Sequence, residues 1–365
     1  MKIIPIQKWL SHSKRPIVMA GPCSAESEDQ VIGLAKRLVQ IPDIKIFRAG
    51  IWKPRTRPNS FEGLGEQALP WLANVKKETG LLTSCEVANA KHTELALKNG
   101  IDILWIGART TVSPFAVQEI ADALKGTNIP VMVKNPINLD LSLWIGALER
   151  FSQAGIEKLV AIHRGFSTGV ESKYRNPPHW AIPLALKQKF PELPLICDPS
   201  HITGNRELVG RVSQKAMDVD MDGLMIETHF SPNDAWSDAA QQVTPDQLET
   251  IIRSLELRTE FSHDRSFDQE LEELRAKIDR VDREIIESLS QRMSVVRKIA
   301  DAKIRNKVTA FQLSRMDQML KERMAQGLAQ GLESSYVEEI YQIIHGESVK
   351  TQTSLMANAK KEDHK

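Results

Sequence analysis

The sequence predicts an α/β chain, with a (β/α)8 barrel followed by an all-helical domain of three helices. Within the 365 residues, every Trp lies at or before Trp236 and every Pro at or before Pro245, so that residues 246–365 contain neither. Before that point, short and continuously apolar runs alternate with amphipathic stretches, as in a parallel sheet that is buried on both faces. Beyond it, apolar residues recur at spacings of three and four without interruption, which is typical of long helices.

The apolar runs of the first part predict the strands of the barrel. They are Ile17–Ala20, Ile44–Phe47, Leu81–Ser84, Ile103–Ile106, Val131–Val133, Leu159–Ile162, Leu195–Ile196 and Leu224–Ile226. Helix-like stretches such as Asp29–Val39 and Leu139–Ser152 follow them. Eight such units in about 240 residues fit a closed barrel better than an open doubly wound sheet. The leading segment Ile3–Leu10 is expected to form a small strand or helix that closes the bottom of the barrel.

Composition also predicts the domain limits. The polar, aperiodic segment 259–268 predicts a linker between a barrel at 1–258 and a helical domain at 269–356, followed by a flexible tail at 357–365. With the first strand near residue 17, we expect no separate domain before the barrel.

The helical domain is expected to need a second copy of the chain. Its periodicity predicts one helix of about 35 residues from Leu271, and two shorter helices near 310–326 and 333–356. Three helices of such unequal length do not enclose a core by themselves. A homodimer of interlocked long helices would bury their apolar faces.

Charge and composition exclude several classes of protein. The chain has 48 Lys and Arg against 47 Asp and Glu, so it has no global field that attracts nucleic acid. No apolar run approaches the roughly 20 residues of a membrane helix, and no secretory signal begins the sequence. The three cysteines, Cys23, Cys85 and Cys197, are odd in number and widely spaced, unlike a disulfide framework. We therefore expect a cytoplasmic protein that binds neither nucleic acid nor membrane.

Polar residues follow every predicted strand, where (β/α)8 barrels have their active sites. The cations among them are Arg48, Lys53, Arg55, Arg109, Lys134 and Arg164. Taken singly, a strand-end arginine is most often a salt-bridged surface residue. Together, and with no comparable group of carboxylates expected at the mouth, these cations would repel one another unless polyanions filled the space. The substrates are therefore predicted to be phosphorylated, carboxylated or both.

Four further residues past the predicted strands form a mixed ligand set. Cys23, His201, Glu227 and Asp238 supply sulfur, nitrogen and oxygen atoms, a combination that suits a divalent transition metal such as Mn, Fe, Co or Zn. A metal among so many cations would act as a Lewis acid on a carbonyl oxygen. Asp198 is expected to hold His201 or a lysine in position.

Five motifs carry a resemblance to a known family. They are Gly21-Pro-Cys-Ser24, Lys53-Pro-Arg-Thr56, Ile106-Gly-Ala-Arg-Thr110, Asp198-Pro-Ser-His201 and Ile226-Glu-Thr-His229. Their order and residues resemble the metal-dependent 3-deoxy-D-arabino-heptulosonate 7-phosphate (DAHP) synthases of the short type Iβ group, over about residues 15–245. The resemblance implies condensation of phosphoenolpyruvate with erythrose 4-phosphate and release of phosphate. It also implies a divalent metal cofactor, Mn before Co, Fe or Zn.

The resemblance assigns roles to individual residues. It implies that Cys23, His201, Glu227 and Asp238 bind the metal. It implies that phosphoenolpyruvate is bound by Arg48, Lys53, Arg109, Lys134 and Arg164, and erythrose 4-phosphate by Lys53, Pro54, Arg55 and Thr56. Lys53 is predicted to deliver the proton to the new hydroxyl group. Arg57 departs from the family pattern, in which a small residue is expected.

The long predicted helix carries a second cationic pattern. Arg275, Arg292 and Lys303 are spaced by 17 and 11 residues, near five and three helical turns, and so project from about one side. A basic residue on an apolar stripe is most often paired or extended towards water, but three along one seam indicate a bound dianion. The pattern resembles the all-helical class of chorismate mutase over about residues 268–356.

This second resemblance implies rearrangement of chorismate to prephenate without a cofactor. The implied chorismate-binding residues are Arg275, Arg292, Lys303, Arg315, Ser348 and Gln352. Arg292, Lys303 and Gln352 are the predicted catalytic residues, and Arg275 is expected to reach the site of the partner chain. Gln312 and Met316 stand where an Asp and a Glu are usual in that class.

Two alternatives to a bifunctional synthase and mutase stay open. The first is 3-deoxy-octulosonate 8-phosphate synthase, which uses arabinose 5-phosphate. The intact Lys-Pro-Arg-Thr loop disfavours this alternative. The second keeps the synthase but makes the helices a non-catalytic dimerisation or regulatory module. Fusion of an early and a late activity also leads to the hypothesis that chorismate or prephenate, bound by the helical domain, slows the synthase.

Overall fold

The computed structural model describes residues 1–10, 15–54, 60–169, 172–259 and 264–362. The chain divides into two compact units, Met1–Glu260 and Phe261–Lys365. Among the described residues, no helix combines the length and the apolar character that crossing a membrane requires.

The strands of the first unit form a closed parallel barrel in chain order. The described residues contain eight of them: β1 (Ile17–Gly21), β2 (Ile44–Arg48), β3 (Leu82–Val87), β4 (Ile103–Ile106), β5 (Val131–Lys134), β6 (Leu159–His163), β7 (Leu195–Cys197) and β8 (Gly223–Glu227). The predicted (β/α)8 barrel is confirmed, because each predicted run coincides with a strand whose residues are nearly all buried.

Helices surround the barrel and connect its strands. They are α1 (Glu28–Leu38), α2 (Leu69–Thr79), α3 (Ala90–Lys98), α4 (Ala108–Thr111), α5 (Pro114–Ala123), α6 (Leu141–Gln153), α7 (Ala181–Lys189), α8 (Pro199–Thr203), α9 (Val209–Asp218) and α10 (Pro245–Ser254). The short helices α4 and α8 directly follow β4 and β7, so they place Arg109 and His201 at the mouth of the barrel.

Strand residues alternate between the barrel interior and the surrounding helices. On β4, Ile103 and Trp105 belong to the interior cluster, whereas Leu104 and Ile106 belong to the larger cluster that includes helix residues. Near the chain start, Ile6–Lys8 forms a short 3-10 helix, and Ile6 joins the interior cluster. The leading segment therefore closes the bottom of the barrel, at the end opposite the mouth.

The second unit consists of long helices, as the sequence predicts. In the described residues they are α11 (Arg265–Arg305), α12 (Leu313–Ala329) and α13 (Ser334–Glu362), and both α11 and α12 pack against α13.

Helices α11 and α13 extend beyond the predicted limits of the helical domain. α11 begins inside the predicted linker 259–268, because the Asp264 side chain accepts a hydrogen bond from the Ser266 amide at 2.9 Å and caps the helix. α13 continues into the predicted flexible tail 357–365, where Ala357 and Ala359 favour a helix.

The first half of α11 has an exposed apolar stripe. Its members are spaced by three or four residues, and all of them are exposed: Leu274, Ile278, Val281, Ile285 and Leu289. Further along the same helix, Val296 and Ala300 are buried. The single chain therefore covers Val296 and Ala300 but leaves the apolar stripe of the first half of α11 open.

Candidate active sites

One cavity lies at the carboxyl ends of the barrel strands. Within the part of the chain that the structure describes, its charged lining consists of six cations and three carboxylates: Arg48, Lys53, Arg109, Lys134, Arg164 and Arg175 against Glu86, Glu227 and Asp238. All five residues predicted to bind phosphoenolpyruvate are in this lining. The excess of positive charge suits a small, multiply charged anion.

Two of the cations are paired with buried carboxylates. Arg48 Nη1 lies 2.6 Å from Glu227 Oε1, and Lys134 Nζ lies 2.8 Å from Asp198 Oδ2. The mouth therefore holds more carboxylates than expected from the sequence, although the cations still outnumber them. The two ion pairs form because these cations are buried, and a buried charge without a partner costs several kcal/mol.

Arg164 lies among neutral partners and like charges. Its Nη1 donates to Asn176 Oδ1 at 2.8 Å, and its backbone amide donates to Asn135 Oδ1 at 2.7 Å. Burial, with the nearby charges of Arg175 and Arg109, lowers the pKa of Arg164 to about 10, although Asp198 opposes the shift. A bound anion would relieve this crowding of positive charge.

Sequence reasoning missed Arg175 and two glutamines that support the site. Arg175 Nη1 lies 2.9 Å from Asp238 Oδ1 and 2.9 Å from Gln241 Oε1. Gln241 donates to Glu227 Oε2 at 2.7 Å, and Gln242 accepts a hydrogen bond from the Cys23 amide at 3.0 Å. These residues lie in long loops rather than directly after apolar runs, so no periodic signal marks them.

The four predicted metal ligands form two close pairs. Cys23 Sγ is 3.3 Å from Asp238 Oδ2, and His201 Nε2 is 3.8 Å from Glu227 Oε1. Ligand atoms about 2.0–2.3 Å from a tetrahedral ion lie roughly 3.3–3.8 Å apart, so both separations suit a shared ion. However, no three His, Cys, Asp or Glu side chains of the described ranges are grouped closely enough to hold a metal as they stand. The Lys53 ammonium, 2.6 Å from Cys23 Sγ, occupies the space beside the sulfur.

Local backbone structure orients these side chains. Asp198 caps α8, since its Oδ1 accepts the His201 amide at 3.0 Å, and its Oδ2 lies 2.8 Å from His201 Nδ1. His201 Nε2 is thereby turned towards Glu227, as in metal sites where a carboxylate holds the other ring nitrogen. Asp238 has a left-handed backbone, with φ of 47°, a conformation that is enriched at functional sites.

Burial and nearby cations set the charge of the ligand set. Burial raises the pKa of Glu227, but the charges of His201, Arg48 and Lys53 outweigh it and bring this pKa to about 2. The pKa of Asp238 is also held well below its usual range, against burial, by His201, Lys53 and Arg175. Burial and the Glu227 charge raise the pKa of Cys23 to about 12, so the thiol keeps its proton unless a cation replaces it. In donor chemistry the set fits a divalent transition metal.

The predicted sugar-phosphate loop is described in part. Pro54 lines the cavity, and Lys53 Nζ donates to the Cys23 carbonyl oxygen at 3.0 Å. Arg55 and Thr56 lie outside the described residues, as does Arg57, the residue that differs from the family pattern.

The helical unit brings part of the predicted chorismate site together. Arg292 Nη1 donates to Ser348 Oγ at 2.5 Å, and Gln352 Nε2 donates to the Ser348 carbonyl oxygen at 3.3 Å. The Lys303 ammonium donates to the Ala310 carbonyl oxygen at 2.7 Å. Among the described groups, buried Gln352 Oε1 has no hydrogen-bond partner, as expected of an atom that faces a substrate.

In the helical unit, sequence reasoning missed His345. It precedes Ser348 by three residues and Gln352 by seven, so it shares their face of α13. Burial, followed by the charges of Arg292 and Lys303, lowers the pKa of His345. Both cations therefore act on one imidazole, which links Lys303 to the group around Arg292. The helical spacing was the signal that could have revealed it.

Two predicted chorismate residues stay outside this group in the single chain. Arg275 is exposed, and its Nη1 lies 2.8 Å from Glu272 Oε1 on the same helix. Arg315 is exposed on α12, where Gln312 precedes the first turn and Met316 is partly buried.

Fold and site together define a (β/α)8-barrel enzyme for small anionic substrates, joined to a helical unit with a second cationic site. Residues 8–262 match the model of the DAHP synthetase I family, and residues 274–353 match chorismate mutase type II. The chain therefore belongs to the DAHP synthetase I family. With the second match, it is a bifunctional shikimate-pathway enzyme that carries DAHP synthase and chorismate mutase activities.

The proteins similar to the barrel are of two kinds. A phospho-2-dehydro-3-deoxyheptonate aldolase of Thermotoga maritima is 29% identical over 238 residues, which are 65% of this chain and 68% of that protein. A 2-dehydro-3-deoxyphosphooctonate aldolase of Wolinella succinogenes is 28% identical over 66% of this chain and 97% of its own length. The crystal structure of the Thermotoga maritima DAHP synthase has a TM-score of 0.59 and 25% identity, covering 69% of this chain and 75% of that one.

Proposed function

We propose that the barrel condenses phosphoenolpyruvate with erythrose 4-phosphate to DAHP and phosphate, and that the helical unit rearranges chorismate to prephenate. The observation that carries the first part is the cavity itself, in which cations gather around Cys23, His201, Glu227 and Asp238. Phosphoenolpyruvate has a phosphate and a carboxylate, so it matches a site with surplus positive charge.

The four ligand residues are proposed to hold a divalent metal ion, Mn²⁺ before Co, Fe or Zn. The near-tetrahedral spacing within each close pair and the ionised state of Glu227 and Asp238 support this. When bound, such an ion supplies Lewis-acid polarisation of the aldehyde oxygen. To complete the set, Lys53 has to leave its position beside the Cys23 sulfur.

The cations of the cavity are proposed to hold phosphoenolpyruvate while its methylene carbon attacks the aldehyde. Arg164 and Lys134 stabilise the phosphate and carboxylate charges, and they keep the two reacting carbons aligned. Water then adds to the cationic carbon, and phosphate leaves. Lys53 is proposed to deliver the proton to the new hydroxyl group once its ammonium has left the Cys23 sulfur, because it lines the cavity in which both substrates would meet.

The sugar phosphate that the barrel accepts distinguishes the two candidate synthases. Relatives of both kinds exist at 28–29% identity, so the choice needs an assay. We expect kcat/KM for erythrose 4-phosphate to exceed that for arabinose 5-phosphate by about 100-fold or more, measured as loss of phosphoenolpyruvate absorbance. Faster turnover of arabinose 5-phosphate would contradict the proposal.

We also propose that chorismate or prephenate, bound by the helical unit, slows the synthase. An unchanged synthase rate in the presence of prephenate would contradict this part of the proposal.

The helical unit is proposed to catalyse by electrostatics alone. Arg292 and Ser348 are hydrogen-bonded, and the Lys303 charge acts on the same imidazole as that of Arg292. Such cations can hold the two carboxylates of chorismate in its compact conformer, while Lys303 and Gln352 stabilise the charge that develops on the ether oxygen. No nucleophile, general acid or metal is needed.

The exposed stripe of α11 supports a homodimer. A second copy laid along Leu274–Leu289 would bury this stripe and bring Arg275 to the site of the partner. We expect light scattering to give twice the 41.0-kDa chain mass. Ile285→Glu should shift the mass to that of one chain, because it places a charge in the apolar contact, and should lower mutase kcat/KM by about tenfold or more.

A matched control uses an apolar residue elsewhere. Phe115 is 90% exposed on the barrel, so Phe115→Glu should leave both the mass and the mutase rate unchanged. A wild-type chain that is monomeric and fully active as a mutase would rule out the interlocked dimer.

A further inference from the structure

Trp105 lies directly beneath the cationic cavity. It is fully buried on β4, one residue before the strand ends, and its side chain belongs to the cluster inside the barrel. In the sequence it lies within an apolar run, which predicts a residue of the hydrophobic core. Its neighbours in space are instead charged groups from β2, β3 and β5.

The indole ring faces two of the cations that line the cavity. Arg48 Cζ is 4.7 Å from the ring centroid, and Lys134 Nζ is 6.0 Å from it. Arg48 Nε is buried and makes no hydrogen bond within the described ranges, which is consistent with a guanidinium that rests on the ring. An aromatic face attracts a cation through its quadrupole and carries no net charge.

The indole N–H binds the nearest carboxylate. Trp105 Nε1 donates to Glu86 Oε2 at 3.0 Å. The other oxygen of Glu86 lies against Gly107, where a Cβ atom would come within 2.0 Å of it. Glu86 is therefore held by a neutral donor and by the close approach of the glycine backbone.

We propose that Trp105 is a positioning residue for phosphoenolpyruvate, acting through Arg48 and Lys134. Arg48 and Lys134 are already paired with Glu227 and Asp198, and the ring fixes the position of both cations without adding a further negative charge beside them. A further carboxylate in the place of the ring would lower the surplus positive charge of the cavity, which the phosphate and carboxylate of the substrate require. This inference rests on the proposed synthase reaction.

Two substitutions separate the ring from the N–H group. Trp105→Phe keeps an aromatic face and loses the hydrogen bond to Glu86, whereas Trp105→Gln keeps an amide donor and loses the face. Using the full chain, we expect Trp105→Gln to raise the KM for phosphoenolpyruvate about tenfold, as loss of a desolvated cation–π contact would, with a smaller change in kcat. Trp105→Phe should stay within about threefold of the wild-type KM. Calorimetric binding of phosphoenolpyruvate should change in parallel.

Trp144→Phe is the matched control. Trp144 is also fully buried, and its Nε1 donates to the Val133 carbonyl oxygen at 3.0 Å, but it packs in the outer cluster. This variant should lose thermal stability with an unchanged KM for phosphoenolpyruvate. Circular dichroism of each preparation reports the amount of folded chain.

The possible outcomes separate the inference from the proposed function. A wild-type KM in Trp105→Gln, or a KM in Trp105→Phe that rises as far as in Trp105→Gln, would overturn the role of the ring. If Trp105→Gln does not fold, Trp105→Phe decides by itself, because a tenfold rise in its KM contradicts the inference and a wild-type KM supports it. A wild-type chain that does not consume phosphoenolpyruvate contradicts the proposed function before any variant is compared.

Discussion

Arg292→Ala is expected to lower kcat/KM for the rearrangement of chorismate by about 10²–10³-fold, the usual loss when one preorganised charged donor is removed from a transition state. Arg292 is hydrogen-bonded to Ser348, and its charge acts on His345 together with that of Lys303. Without the guanidinium, one carboxylate of the substrate loses its counter-charge, and the compact conformer is no longer held. Loss of chorismate absorbance measures the effect. The synthase rate of the same preparation should not change.

Arg297→Ala is the control for this substitution. Arg297 lies five residues further along α11 and is exposed, so its removal should leave mutase kcat/KM within about twofold. If the wild-type chain does not convert chorismate, the helical unit is a dimerisation or regulatory module, and the proposed mutase site is wrong.

Much of the barrel site could be predicted because parallel strands end at one edge. Arg48, Lys134 and Glu227 are the last residues of β2, β5 and β8, so the closed barrel brings them to one mouth from distant parts of the chain. Knowing that each apolar run is a strand is enough to place the residue that follows it. The same logic explains why the helical spacing of Arg292 and Lys303 on α11 locates a second site.

The pairings and the loop residues could not be predicted in this way. Arg175 reaches Asp238 from another loop, and the ion pair of Arg48 with Glu227 depends on how β2 and β8 stagger around the barrel. Such contacts are set by three-dimensional packing and leave no period in the sequence. Trp105 could not be predicted for another reason. It lies inside an apolar run, so the sequence predicts a core residue, and only the structure shows the cation beside its ring.

Removal of divalent metal is expected to reduce synthase kcat/KM by about 10³-fold or more, since Lewis-acid polarisation contributes several kcal/mol to such a reaction. The mutase rate of the same chelator-treated chain should stay unchanged, because the four ligand residues all belong to the unit Met1–Glu260. Metal content by elemental analysis, followed by restoration of the synthase with added Mn²⁺, measures the effect. A chain that keeps full synthase activity without metal would contradict the ligand assignment.

Cys23→Ser tests which atoms bind the metal independently of activity. A serine hydroxyl is a much poorer ligand than a thiolate for a transition metal, so this variant should retain little metal after dialysis and should lose the synthase. Cys85→Ala is the control, because Cys85 is buried in the outer apolar cluster and should affect stability without changing metal content. Retained metal in Cys23→Ser, in a preparation whose circular dichroism is that of the folded wild-type chain, would show that other groups hold the ion.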